Sequence, residues 1–194
     1  MPCSRRCLVA GVCAGPLGWL AAADSGARLS AETEQTDQLT RVDTSTMPEG
    51  EIKVVQWRGR PVWVLRRSPQ MIDALELSSL HARLADPKSE RGDPLSTPSY
   101  ARNNLRSIKP EVFVGVAVCP HAGCQPVPRI RPGPNPERAD NWPGGFACQC
   151  HFATFDLSGR VFRDKPTSEN ISVPRHMYAS EAILVIGRDA DGEA

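Results

Sequence analysis

Two short segments, "CPHAGC" at 119–124 and "CQCHF" at 148–152, hold four of the chain's seven cysteines and two of its four histidines. Thiols and imidazoles at this density are metal ligands or disulfide partners before they are packing groups. The fold must therefore bring two loops, separated by the Pro- and Gly-rich stretch 126–145, to one point. Both loops follow β-like runs, so two hairpin tips can clasp one metal centre. A single zinc ion would take four ligands as a Cys2His2 set, but zinc fingers usually draw two cysteines from one segment and two histidines from the other. Here each loop offers one Cys and one His for the site, and each has one Cys left over. A purely disulfide role leaves both histidines unexplained. The pattern suits a binuclear centre, with one iron on two thiolates and the other on two imidazoles. A zinc-binding structural module stays open as the alternative.

The rest of the chain limits the setting of that centre. Net charge is +1, which gives no field for nucleic acid or an acidic substrate. Aromatic residues are 6% of the chain, against 18 prolines and 15 glycines, so a loop-rich, mainly β domain is expected. Residues 1–23 open with Arg5 and Arg6, continue as an uncharged run and stop at Asp24. This reads as an export signal with a cut near Ala21–Ala23, or as an uncut transmembrane helix. "SRRCLV" also resembles a twin-arginine signal. Cys3, Cys7 and Cys13 are read as small apolar fillers. Residues 24–47 are polar and mixed in charge, and read as a flexible tether. The folded domain is expected over 48–194. "EIKVVQW" and "RPVWVLR" predict a hairpin around Arg58–Gly59. Ser68 and Pro69 predict a short helix start. "EVFVGVAV" predicts a buried strand leading into the first Cys loop, and 78–110 is expected to carry little regular structure. "ISVPRHMYASEAILVIG" predicts two closing strands.

The chain resembles the Rieske iron–sulfur subunit of bacterial cytochrome bc complexes, the ubiquinol–cytochrome c reductases. The resemblance rests on "WRGRPVWVLRR", "LADP", "YARNNLRSIKPEV", "CPHAGC", "WPGGFACQCH", "FDLSGRVF" and "NISVP". It implies an antiparallel β domain with a smaller cluster-binding subdomain over about 112–168. It implies one 2Fe-2S cluster, with Cys119 and Cys148 on one iron and His121 and His151 on the other. It further implies a disulfide between Cys124 and Cys150, with His151 as the ligand that hydrogen-bonds quinol. The implied partners are cytochrome b, cytochrome c1, quinol and the membrane. The implied place is the bacterial inner membrane, single-pass, with the cluster domain on the periplasmic side. The implied activity is that of a quinol–cytochrome c oxidoreductase subunit. A Rieske-type electron carrier for a different redox partner is the alternative.

Against the family pattern, three residues stand out. Phe152 replaces a glycine, Ala153 a serine, and Phe155 stands where many members have tyrosine. The two lost hydroxyls are expected to lower the reduction potential, because hydrogen bonds to the sulfurs favour the reduced state. Ala122 is smaller than the leucine common at its place. Asp156 is expected to brace the second loop by hydrogen bonds. His81 is read as a helix-end or loop residue and His176 as a surface strand residue. The four tryptophans are read as packing or interface groups.

Overall fold

The protein is described by a computed structural model over residues 39–133 and 141–192. The expected anchor 1–23 and residues 24–38 of the expected tether lie outside the described residues. Among the described residues, no helix is long and apolar enough to cross a membrane.

Among the described residues, nine strands form three antiparallel sheets of three. The central sheet contains β2 (Ile52–Trp57), β3 (Arg60–Arg66) and β4 (Val112–Val116). β2 and β3 are the hairpin expected from alternating β-formers, and Arg58 and Gly59 turn it with φ of 49° and 70°. Positive φ at both central residues gives the turn whose twist matches paired strands. A second sheet orders β1 (Thr40–Asp43), β9 (Ile183–Ile186) and β8 (His176–Tyr178). The third orders β5 (Val127–Arg129), β6 (Gly145–Ala147) and β7 (Thr154–Phe155). Helix α1 (Pro69–Glu76) starts as expected, with the Met71 N–H donating to Ser68 Oγ.

Strands β3 and β4 of the central sheet are buried on both faces, and their side chains alternate between two cores. Trp63, Leu65 and Phe113 face one core together with Phe146, Phe155 and Leu75. Val62, Val64, Val112, Val114 and Val116 face the other, with Val42, Leu184 and Ile186. This double burial explains why β4 reads as an unbroken apolar run. Gly115 leaves room for Phe113, whose ring lies 2.7 Å from where a Cβ would sit. The Trp63 ring stacks on Phe146 with centroids 4.2 Å apart, which fixes the third sheet to the central one. Each of these buried rings contributes roughly 1.5–3 kcal/mol.

Three expectations change. Residues 40–43 are not tether: β1 pairs with β9, and Val42 and Met47 are buried. The stretch 78–110 carries little regular structure, as expected, with α2 (Ser78–His81) and single 3-10 turns at Pro94–Ser96 and Ser99–Ala101. His176 lies in a strand but not on the surface. It is buried, its backbone N–H donates to the Tyr100 hydroxyl, and burial pulls its pKa down to about 4. His81 ends α2, as expected. β4 belongs to the central sheet, so the smaller cluster-side sheet begins at Val127.

Candidate metal centre

β4 runs out through Val118 into the first loop. β6 runs into the second loop, and β7 runs out of it. The first loop is closed by Cys119 N–H donating to Cys124 O (2.8 Å) and Gly123 N–H donating to Cys119 O (2.9 Å). The second is closed by Cys148 N–H donating to Ala153 O at 2.8 Å. Gly145 lets β6 lie this close to β7. Its φ is 148°, and a Cβ there would sit 2.0 Å from the Phe155 carbonyl oxygen. Any side chain would push the second loop off its base.

The loops bring all six sequence-singled residues to one place, sorted by depth. Cys119 and Cys148 are buried, at 2% and 1% exposure, and both are free thiols. They are close enough to hydrogen-bond each other. Burial, followed by the neighbouring Cys148, pushes the Cys119 thiol above its ordinary range, while the backbone N–H groups of His121 and Ala122 donate to its sulfur. His121 and His151 are exposed, and their rings meet edge to face with centroids 4.6 Å apart. Cys124 and Cys150 form a disulfide that ties the loops. The sulfurs of Cys124, Cys148 and Cys150 lie within 4.8 Å of one another. Two of these are bonded to each other, so the trio is no metal site.

This donor set fits a binuclear iron–sulfur group. Two thiols shielded from water offer soft ligands, and two imidazoles at the surface offer nitrogen ligands. The depth sorting separates sulfur from nitrogen, which a single tetrahedral zinc does not require. Ala153 and Phe155 wall the second loop and are wholly buried.

Behind the loop lies a brace of which only Asp156 was expected. Asp156 is fully buried and accepts from Ser158 N–H, Arg160 N–H and Arg160 Nε. Arg67 donates to Ser158 Oγ, and Arg106 donates to the Ser158 carbonyl oxygen. Nothing in the sequence marks Arg67 and Arg106 as interior, because charge is the usual sign of a surface residue.

The fold and the site define an iron–sulfur protein of Rieske type. The Rieske [2Fe-2S] domain family matches residues 101–179. The chain is 41% identical over 160 residues to the ubiquinol–cytochrome c reductase iron-sulfur subunit of Allochromatium vinosum, covering 82% of this chain and 74% of that one. It is 33% identical over 146 residues to the mitochondrial cytochrome b-c1 complex subunit Rieske of Neurospora crassa, covering 75% of this chain and 52% of that one. A chain of a hyperthermophilic respiratory Complex III aligns with a TM-score of 0.47 and 19% identity, over 81% of this chain and 83% of that one. The chain belongs to the family of Rieske iron–sulfur subunits of ubiquinol–cytochrome c reductase.

The disulfide carries a stability prediction. Cys124 and Cys150 are 26 residues apart. Replacing both with alanine is expected to cost about 3–4 kcal/mol through loop-closure entropy. Urea unfolding of the full chain, with and without reductant, measures this. An unchanged midpoint would show that the loops are held by other contacts.

Proposed function

We propose that this chain is the electron-transfer subunit that oxidises quinol in a membrane-bound cytochrome bc complex and passes the electron to cytochrome c1. The observation that carries the reading is the depth sorting of the site, with two free thiols buried side by side beneath two exposed, touching imidazoles. In this reading Cys119 and Cys148 hold the inner iron, and His121 and His151 hold the outer one. The bound 2Fe-2S cluster supplies a one-electron acceptor.

The chain's own residues supply the surroundings. Cys119 and Cys148 keep their sulfurs out of water, and the buried Ala147, Ala153 and Phe155 exclude solvent from the second loop's base. The disulfide holds the loops in register whether or not metal is present. His121 and His151 reach the surface, so a donor meets the site there. The ring nitrogen of His151 not taken by metal accepts a hydrogen bond from the quinol hydroxyl, and its proton afterwards. Cytochrome b and cytochrome c1 are the partners in this reading. A disulfide beside an exposed site supports a location outside the cytoplasm, where such bonds persist. The reading places the domain on the periplasmic side of a bacterial inner membrane, held by a single-pass anchor in residues 1–23.

EPR of the reduced, cluster-loaded full chain tests this. Mixed nitrogen and sulfur ligation of a 2Fe-2S cluster is expected. Stoichiometric zinc, or four sulfur ligands without nitrogen, would overturn it. Redox titration of the same sample tests the missing hydroxyls. A hydroxyl that gains a bond to a more negative sulfur is worth about 1.5 kcal/mol. At about 59 mV per factor of ten for one electron, Phe155→Tyr is expected to raise the potential by roughly 60 mV. Equal potentials in the two proteins would mean that position 155 does not set it.

A further inference from the structure

Phe152 occupies a conformation that its side chain disfavours, and no packing among the described residues accounts for it. Its φ is 61°, in the left-handed region where glycine is at ease and a bulky residue is strained. Packing does not offset that strain, because the side chain is 69% exposed. On the facing loop the equivalent bend is made by Gly123, with φ of 76° and open space around it. Among the described residues, Phe152 is the one large apolar side chain exposed on either loop. It directly follows His151.

The two loops themselves are uncharged. No Asp, Glu, Lys or Arg occurs in 112–128 or 141–155, in a chain that is 23% charged overall. On these loops His121, Ala122, Gly123, Gln149, Cys150 and His151 are exposed as well. A tip that binds an anionic membrane surface carries lysine or arginine beside its apolar anchor, and these two loops carry none. Two uncharged loops that present one aromatic anchor instead match an apolar protein pocket, where such anchors carry most of the binding energy.

We infer that Phe152 seats the tip in the apolar wall of the quinol pocket of the partner cytochrome b, and so sets how firmly quinol is held against His151. This rests on the quinol-oxidising reading above and adds to it a specificity-determining residue. The strain is retained because the ring is buried only in the complex.

The test uses the whole membrane complex assembled with the full, cluster-loaded chain, and a short-chain quinol as substrate. Phe152→Gly and Phe152→Ala are expected to lower kcat/KM roughly tenfold or more, the range that follows from losing one buried ring. Phe152→Leu keeps apolar bulk at the same backbone cost and is expected to stay within about threefold. Phe152→Gly relieves the backbone and is expected to raise the thermal midpoint of the chain. That gain in stability alongside a loss of turnover is what a merely structural role would not give. The reduction potential should not move with any of the three.

Wild-type kcat/KM in both Phe152→Gly and Phe152→Ala overturns the inference. So does a loss of turnover that follows a loss of iron. So does Phe152-dependent binding of the chain to vesicles of neutral or anionic phospholipid that lack the partner. His151→Ala separates the two levels. If turnover survives that change, the reading of the site falls with the inference. If His151 is required and Phe152 is not, only the inference falls.

Discussion

Cys148→Ser is expected to give a folded chain that holds almost no cluster. Cys148 is 1% exposed and a serine fills nearly the same space, so packing changes little. The chemistry changes more. Iron–sulfur groups need a soft thiolate, and a serine hydroxyl stays protonated at neutral pH and binds as a hard oxygen. Losing even a supporting contact of a ligand typically costs 10–100-fold in metal affinity, so losing a ligand should cost at least about 100-fold. The fold should survive because the Cys124–Cys150 disulfide closes the loops independently of metal. Cys148 N–H still donates to Ala153 O, and Phe146 still stacks on Trp63. Iron per chain, the reduced EPR signal and the far-UV circular dichroism together check this. Full iron content in Cys148→Ser would remove Cys148 from the ligand set. Loss of the dichroism would show that metal rather than the disulfide holds the loops.

The legible parts of this chain are those written in local chemistry. Ser68 followed by Pro69 marks a helix start within two residues, and the helix begins there. The Cys/His loops were legible for the same reason, since thiols and imidazoles at such density have few uses. Their order in depth was implied only by the family resemblance, because the residues alone do not show how β4, β6 and β7 stack. β1 was hidden by its partner's distance. "TRVD" carries one buried residue, Val42, and its pairing strand lies near the other end of the chain. His176 was misjudged because Tyr100, which covers it, is remote in sequence. Arg67, Arg106 and Arg160 were invisible to any apolar pattern. Their burial follows from hydrogen bonds to backbone and serine oxygens contributed from elsewhere in the chain.

Those arginines make Asp156 the most costly single charge to remove. Arg67, Arg106 and Arg160 are all fully buried and all converge on the turn 156–160. Burial lowers the pKa of both Arg67 and Arg106 to about 10, so each stays protonated at neutral pH. Asp156 acts on all three, bonding Arg160 at 2.7 Å and opposing the burial of the other two. Asp86 also acts on Arg106, but Asp156 is the carboxylate common to the set. Asp156→Asn keeps an oxygen for the N–H groups of Ser158 and Arg160, and removes the charge together with the acceptor that faces Arg160 Nε. Breaking a buried pair from one side typically costs about 3–5 kcal/mol, because the partner is left uncompensated. That cost is expected here, measured as a shift of the urea midpoint. Pairing Asp156→Asn with Arg160→Met restores the balance of buried charge. The double variant should therefore be more stable than the sum of its parts, by at least about 1 kcal/mol of coupling. The turn is bridged to β7 through Phe155 and Val161, and β7 pairs with β6, which leads into Cys148. Cluster retention on heating should then fall in Asp156→Asn and partly recover in the double variant. Strict additivity would mean that the Asp156 carboxylate is not coupled to Arg160, and that the buried guanidinium charges are balanced elsewhere.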